Sequence, residues 1–219
     1  MGISFGLLAF LGFCGSCQKR VEQRGSKTAE LSGLVSNVLK KAEFEDGKII
    51  TGEKNIPVYD SRIKITKIFT EPKAYALAEN LNAIQNADTI VIGPGDLHTS
   101  IIPNLAVNGI CEAIKKSNAK KVFICNVMNR KEETGRGEGK QFSSTDFLNE
   151  IEKYLGRGVL DFAIFNNKKP HAKVLARYKK EKAEFIEPPI GQHQMLTKNK
   201  PKLILADLLD DGPFIRHNP

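Results

Sequence analysis

The residues best suited to chemistry lie between Thr89 and Leu105, where the chain reads TIVIGPGDLHTSIIPNL. Gly93, Pro94 and Gly95 follow directly on an apolar run, and Asp96, Thr99 and Ser100 come next. Glycine lets a backbone approach a ligand without an intervening Cβ. Amides of such a loop, and of a helix starting near Thr99, carry unsatisfied N–H groups and partial positive charge, which suits a phosphate. The hydroxyls of Thr99 and Ser100 add donors. A carboxylate facing a phosphate repels it, so Asp96 is expected to accept from a sugar hydroxyl or to bind a metal ion. The same residues also fit a plain tight turn with Thr99 or Ser100 as a helix cap. The dinucleotide fingerprint G-x-G-x-x-G is not matched, because His98 stands at its third glycine.

A second glycine-rich stretch, Gly135 to Lys140, is not a P-loop: Thr134 stands where the first glycine belongs, and Gln141 replaces the Ser or Thr. It reads as a lid or an ordinary loop from which Arg136 or Lys140 can reach an anion. Cys14 and Cys17 have C-x-x-C spacing but no second pair and no preceding βαβ pattern, so a redox or zinc role is not favoured. Cys111 and Cys125 sit in apolar stretches and read as buried thiols. This cysteine usage suits a reducing cytoplasm.

The elements that must position these residues follow from periodicity. Lys41 to Thr51 carries Asp46-Gly47 between β-prone arms, a hairpin signal. Arg62 to Phe69 alternates basic and apolar residues as a half-buried strand does. A helix is expected from Glu71-Pro72 onward, with Ala76, Leu77, Leu81 and Ile84 on one face. Ala87–Ile92, Lys121–Val127, Val159–Phe165, Ala183–Ile186 and Leu203–Leu208 read as strands. Helices are expected over Ile101–Lys116, interrupted at Pro103 and Gly109, over Thr145–Leu155 with Thr145-Asp146-Phe147 as its cap, and over Pro170–Glu181. Met128 to Ser144 reads as a loop. Nearly all-apolar strands alternating with helices predict a doubly wound, mainly parallel α/β sheet covered on both faces. The 219 residues read as a single α/β domain.

Ile3 to Phe13 is apolar but only about half the length a membrane helix needs. No Lys or Arg precedes it, so a buried helix is expected rather than a targeting segment. The chain has 33 Lys and Arg against 25 Asp and Glu, a net charge of +8, which favours anionic ligands. Aromatic residues are 7% and Trp is absent, which argues against a base-stacking surface for nucleic acid.

Five blocks, ADTIVIGPGDLHTSIIPNLAVNGICEAI, KKVFICNVMNRKEETG, FSSTDFLNEIE, YKKEKAEF and IRHN, resemble the gluconeogenesis factor family (YvcK-like) in order and spacing. Its sister family is the 2-phospho-lactate transferases (CofD-like). The resemblance covers about Lys41 to Asn218, and SIIPNL and RHN favour the gluconeogenesis-factor branch. It implies a Rossmann-like fold, a cytoplasmic location and binding of a UDP-sugar of the N-acetylglucosamine type. It also implies influence on carbon metabolism, cell-wall synthesis and cell shape, with no settled catalytic reaction. The competing implication is a transferase moving a phospho-lactate-type group from a nucleotide to an acceptor hydroxyl, with magnesium at Asp96, or a nonfunctional fragment of either.

Carried over by motif, Tyr178 and Arg216 resemble the residues that hold the nucleotide sugar. Gly93, Pro94, Gly95, Asp96, Thr99 and Ser100 resemble its loop, and Asn126 and Met128 lie at the end of the neighbouring strand. A homo-oligomer is compatible with the resemblance; nucleic acid and membrane are not expected partners. Residues 1–40 match poorly and are expected to be a divergent helical segment, so that the family's first Gly-rich βα unit is lacking and a sheet edge is left open.

Overall fold

The computed structural model describes residues 8–11, 28–30, 39–52, 54–56, 59, 63–130, 141–180, 183–189 and 201–209. Strands β1 (Leu8–Leu11), β2 (Thr28–Glu30), β6 (Thr89–Ile92), β7 (Lys120–Ile124), β9 (Phe162–Asn166) and β11 (Lys202–Ala206) form a six-stranded sheet. Its order is β11-β9-β7-β6-β1-β2, and every pairing is parallel. The doubly wound fold class is therefore observed. Parallel strands covered on both faces must be apolar along their length. β6 satisfies this, with Ile90, Val91 and Ile92 all buried. Phe123 of β7 and Phe165 of β9 pack edge-to-face across the sheet, with ring centroids 6.4 Å apart.

Two expectations for the N-terminal residues are corrected. Leu8–Leu11 is a strand, not a helix, and lies between β2 and β6. An apolar run of this length is compatible with either structure, and here parallel partners on both sides decide for the strand. β6 is therefore paired on both sides and is not the open edge that was expected. Residues 12–27, including Cys14 and Cys17, lie outside the described residues.

A separate antiparallel sheet has the order β4-β3-β5, from β3 (Leu39–Phe44), β4 (Ile49–Thr51) and β5 (Ile65–Glu71). Asp46-Gly47 makes the expected turn: Gly47 has φ 82° and its N–H donates to the Phe44 carbonyl at 2.9 Å. The helix expected from Pro72 starts later, as α1 (Ala78–Asn86), and it buries Ile84 while Leu77 stays 51% exposed. The Ala74 N–H is taken by the Thr70 hydroxyl and the Asn108 N–H by the Ala74 carbonyl, so this stretch is committed to loop contacts rather than to a helix.

The helical region after β6 breaks at Gly109 as expected but not at Pro103, which sits in a first helical turn where its missing N–H is tolerated. A π-helical turn (Leu97–Ile101) runs into α2 (Ile102–Leu105), with Pro103 in its first turn, and α3 (Ile110–Lys116) begins after Gly109 at φ 95°. Helix α4 (Ser144–Leu155) starts one turn-position earlier than the sequence suggested. Ser143 is its cap, in a capping box with Asp146. α2 packs on β5, and the Tyr154 hydroxyl of α4 accepts from the Ile68 N–H at 2.9 Å, which joins the small sheet to the main body. Strand β8 (Met128–Arg130) pairs antiparallel with β10 (Ala183–Phe185), and α5 (Ala172–Lys180) packs on β10.

Candidate functional site

The order of the six strands reverses between β1 and β6: the chain steps from β1 to β2 in one direction and from β6 through β7 and β9 to β11 in the other. In open parallel sheets the crevice for a ligand opens at such a switch point, beyond the carboxyl ends of the strands. Gly93, Pro94 and Gly95 leave β6 at that end.

Gly93 is required by its surroundings. Its φ is 79°, and a Cβ there would stand 2.6 Å from the Ile124 carbonyl oxygen and 3.3 Å from the Ile101 Cδ1. The bend lets the chain pass tightly over the end of β7. Gly93 and Pro94 are buried, joined by a cis peptide bond, whereas Gly95 and Asp96 are half-buried at the rim. Asn126 then fixes the loop. The Gly95 N–H donates to Asn126 Oδ1 at 2.9 Å, and Asn126 Nδ2 donates back to the Gly95 carbonyl at 2.9 Å. The carboxamide thus continues the β6–β7 ladder where the backbones have already diverged. It also occupies the Gly95 amide.

The Asp96 carbonyl accepts from the Ser100 N–H at 2.9 Å and the Ile101 N–H at 3.0 Å, which opens the wide turn. Its carboxylate makes no capping bond to that turn. His98 and Thr99 are buried, with 1% and 4% exposure, while Ser100 is half-buried. The polar side chains reaching the rim from this segment are therefore Asp96 and Ser100. Pro103 has no N–H to offer the Thr99 carbonyl four residues back. Lys40 Nζ, from β3 of the small sheet, supplies the donor at 2.9 Å. The Ser100 carbonyl takes the Asn104 Nδ2 at 2.7 Å. Lys40 escaped the sequence reading because its partner is 59 residues away; the only local signal was the carbonyl that Pro103 leaves without an amide.

Beyond Asn126, Met128 is half-buried on β8 and pairs in register with Phe185 of β10. Tyr178 is half-buried on α5, which rests on β10, and the Arg177 guanidinium stands 5.3 Å from its ring centroid. The structure thus joins Gly93 to Ser100 with Asn126 directly, follows them with Met128, and connects Tyr178 through the β8–β10 ribbon. Arg216 and the Gly135–Lys140 stretch lie outside the described residues. Beneath the rim, burial pushes the Cys125 thiol above its ordinary range, partly offset by a backbone hydrogen bond from Asn126. Among the described residues no three His, Cys, Asp or Glu side chains converge as a metal site, and no helix is long and apolar enough to cross a membrane.

The family model described as 2-phospho-L-lactate transferase CofD matches residues 35–209. The chain is 40% identical over 183 residues to a gluconeogenesis factor of Halalkalibacterium halodurans, covering 83% of this chain and 54% of that protein. To a putative gluconeogenesis factor of Aquifex aeolicus it is 36% identical over 230 residues, covering 100% of this chain and 67% of the relative. A crystal structure of a UPF0052-family protein from Bacillus halodurans superposes with a TM-score of 0.76 at 37% identity, covering 93% of this chain and 62% of that one. The chain spans about half the length of several curated relatives it matches, at 54%, 54% and 51% of three of them.

Proposed function

The chain belongs to the CofD family, among its gluconeogenesis factors, and from this we propose that it is a cytoplasmic regulatory protein that binds a nucleotide sugar of the UDP-N-acetylglucosamine type without turning it over. The observation that carries the reading is the position of the Gly93–Ser100 segment at the switch point between β1 and β6. A diphosphate there would meet the start of the wide turn and the Ser100 hydroxyl, with Asp96 left for a sugar hydroxyl. Tyr178 offers a ring and a hydroxyl from the neighbouring ribbon. In this reading the protein couples the supply of an activated amino sugar to carbon metabolism and to wall synthesis and cell shape. Titration calorimetry with UDP-N-acetylglucosamine, on this chain and on a version extended to the length of its relatives, tests it. Saturable binding is expected, and no heat from either form overturns it.

The description of the matching family model favours a second reading, a transferase that moves a phospho-lactate-type group onto an acceptor hydroxyl. Magnesium commonly takes one or two carboxylates together with substrate phosphates, and the half-buried Asp96 fits that donor set. The ion would neutralise charge on the diphosphate. Product formed from a nucleotide-activated lactate and a deazaflavin acceptor, lost on chelation and in Asp96→Asn, distinguishes this reading from the first.

A further inference from the structure

The wide turn that brings Ser100 to the rim leans on side chains where its own backbone cannot close. The Thr99 carbonyl has no N–H to receive from Pro103, and Lys40 Nζ donates to it at 2.9 Å. The Ser100 carbonyl accepts from Asn104 Nδ2 at 2.7 Å. Asn104 belongs to α2, which continues the turn, whereas Lys40 reaches in from a different sheet. On β3 it stands in phase with Ala42 and Phe44, both buried, so the strand turns all three toward the main body. The sheet that carries Lys40 is itself anchored on α4. There the Ile68 N–H donates to the Tyr154 hydroxyl at 2.9 Å, and Lys153 Nζ donates to the Thr66 carbonyl at 2.6 Å. At the other end of the segment, Asn126 holds Gly95 by two hydrogen bonds. Asp96 to Thr99 are thus strung between two fixed points, and Ser100 follows directly on the second.

A hydrogen-bonding group counts fully only when it is held within about 0.5 Å of its productive place. We infer that Lys40 is a positioning residue for ligand binding: by fixing the Thr99 carbonyl it sets where the next residue presents its hydroxyl to the diphosphate. The inference rests on the nucleotide-sugar reading above and adds to it a residue of the small sheet that governs affinity through the turn.

The test is titration calorimetry on this chain with UDP-N-acetylglucosamine and with UDP, at low and at high salt. It compares wild type with Lys40→Met, Lys40→Gln and the double variant Lys40→Met/Pro103→Ala, each checked by circular dichroism to be folded. Lys40→Met removes the donor, and Lys40→Gln ends one atom short of the carbonyl, so either decides the matter if the other fails to fold. The double variant returns an amide at position 103 without returning the charge. A purely structural role lowers unfolding stability and leaves the Kd of the folded chain where it was. About tenfold weaker binding of both ligands, the same at both salt concentrations and recovered in the double variant, supports the inference. Unchanged Kd in the single variants overturns it. So does a loss that fades at high salt, which marks a screened charge rather than a tether. A loss confined to the UDP-sugar, or one that the double variant does not recover, overturns it as well. Wild type that binds neither ligand overturns the nucleotide-sugar reading and this inference with it, whereas wild-type binding with indifferent variants overturns only the role of Lys40.

Discussion

Asn126 and Gly95 exchange two hydrogen bonds, each of 2.9 Å, across the gap between the ends of β7 and β6. This side chain stands in for a strand residue and holds the loop after β6 in a single shape. Any ligand that needs the Gly95 amide must displace Asn126, so what the loop offers is chiefly a rigid frame for Asp96 and Ser100. Asn126→Ala should cost about 1–3 kcal/mol in denaturant unfolding, the worth of two partly buried hydrogen bonds. Asn126→Asp should cost more, because a carboxylate cannot donate to the Gly95 carbonyl. A change of under half the lower figure in both variants would show that the loop holds without the clamp.

Gly93→Ala tests the close passage over β7. The added methyl meets the Ile124 carbonyl at 2.6 Å, and the φ of 79° is unfavourable for alanine. The strained dihedral and the overlap together predict a loss of about 2–4 kcal/mol. Chemical unfolding reads it directly, and a near-neutral result would mean that the loop relaxes at little cost.

Lys40 and Pro103 form a second pair whose logic is testable. Lys40→Met leaves the Thr99 carbonyl without its donor and should cost about 1–2 kcal/mol. Pro103→Ala restores an amide hydrogen four residues after that carbonyl. It should therefore cost less, or turn stabilising, in the Lys40→Met background than alone. A double-mutant cycle in urea measures the difference; strict additivity would separate the two residues.

Tyr154 sets an alkaline limit. Burial pushes its hydroxyl from 10.0 up to about 12, partly offset by the hydrogen bond from the Ile68 N–H. The folded state thus holds the proton more tightly than the unfolded chain does. The corresponding stability is complete below pH 10 and is lost as the pH rises through about 12. Phenolate absorbance of this one tyrosine should appear together with unfolding. Tyr154→Phe should remove that pH-dependent component while costing about 1–2 kcal/mol at neutral pH, because the Ile68 amide loses its acceptor.

Part of the site is legible along the chain. The Gly93-Pro94-Gly95 bend, its place after a buried strand and the family blocks could all be read along the chain, since glycine and proline restrict the backbone locally. The pairing of Asn126 with Gly95 and the reach of Lys40 could not. Each depends on segments brought together across many residues. The choice of Ser143 rather than Thr145 as the cap of α4 turned on a reciprocal bond with Asp146, which several nearby polar residues made ambiguous.

By itself the sequence determined the alternation of apolar strands with helices, the turn at Asp46-Gly47 and the break at Gly109, because periodicity and backbone restriction act over a few neighbouring residues. Tertiary structure alone decided that Leu8–Leu11 is a strand, that it sits beside β6, and that the order of the sheet reverses there. A short apolar run carries no preference strong enough to choose its own form. The backbone hydrogen bonds offered by strands on either side make the choice, and with it they create the crevice that gives the Gly-Pro-Gly loop something to face.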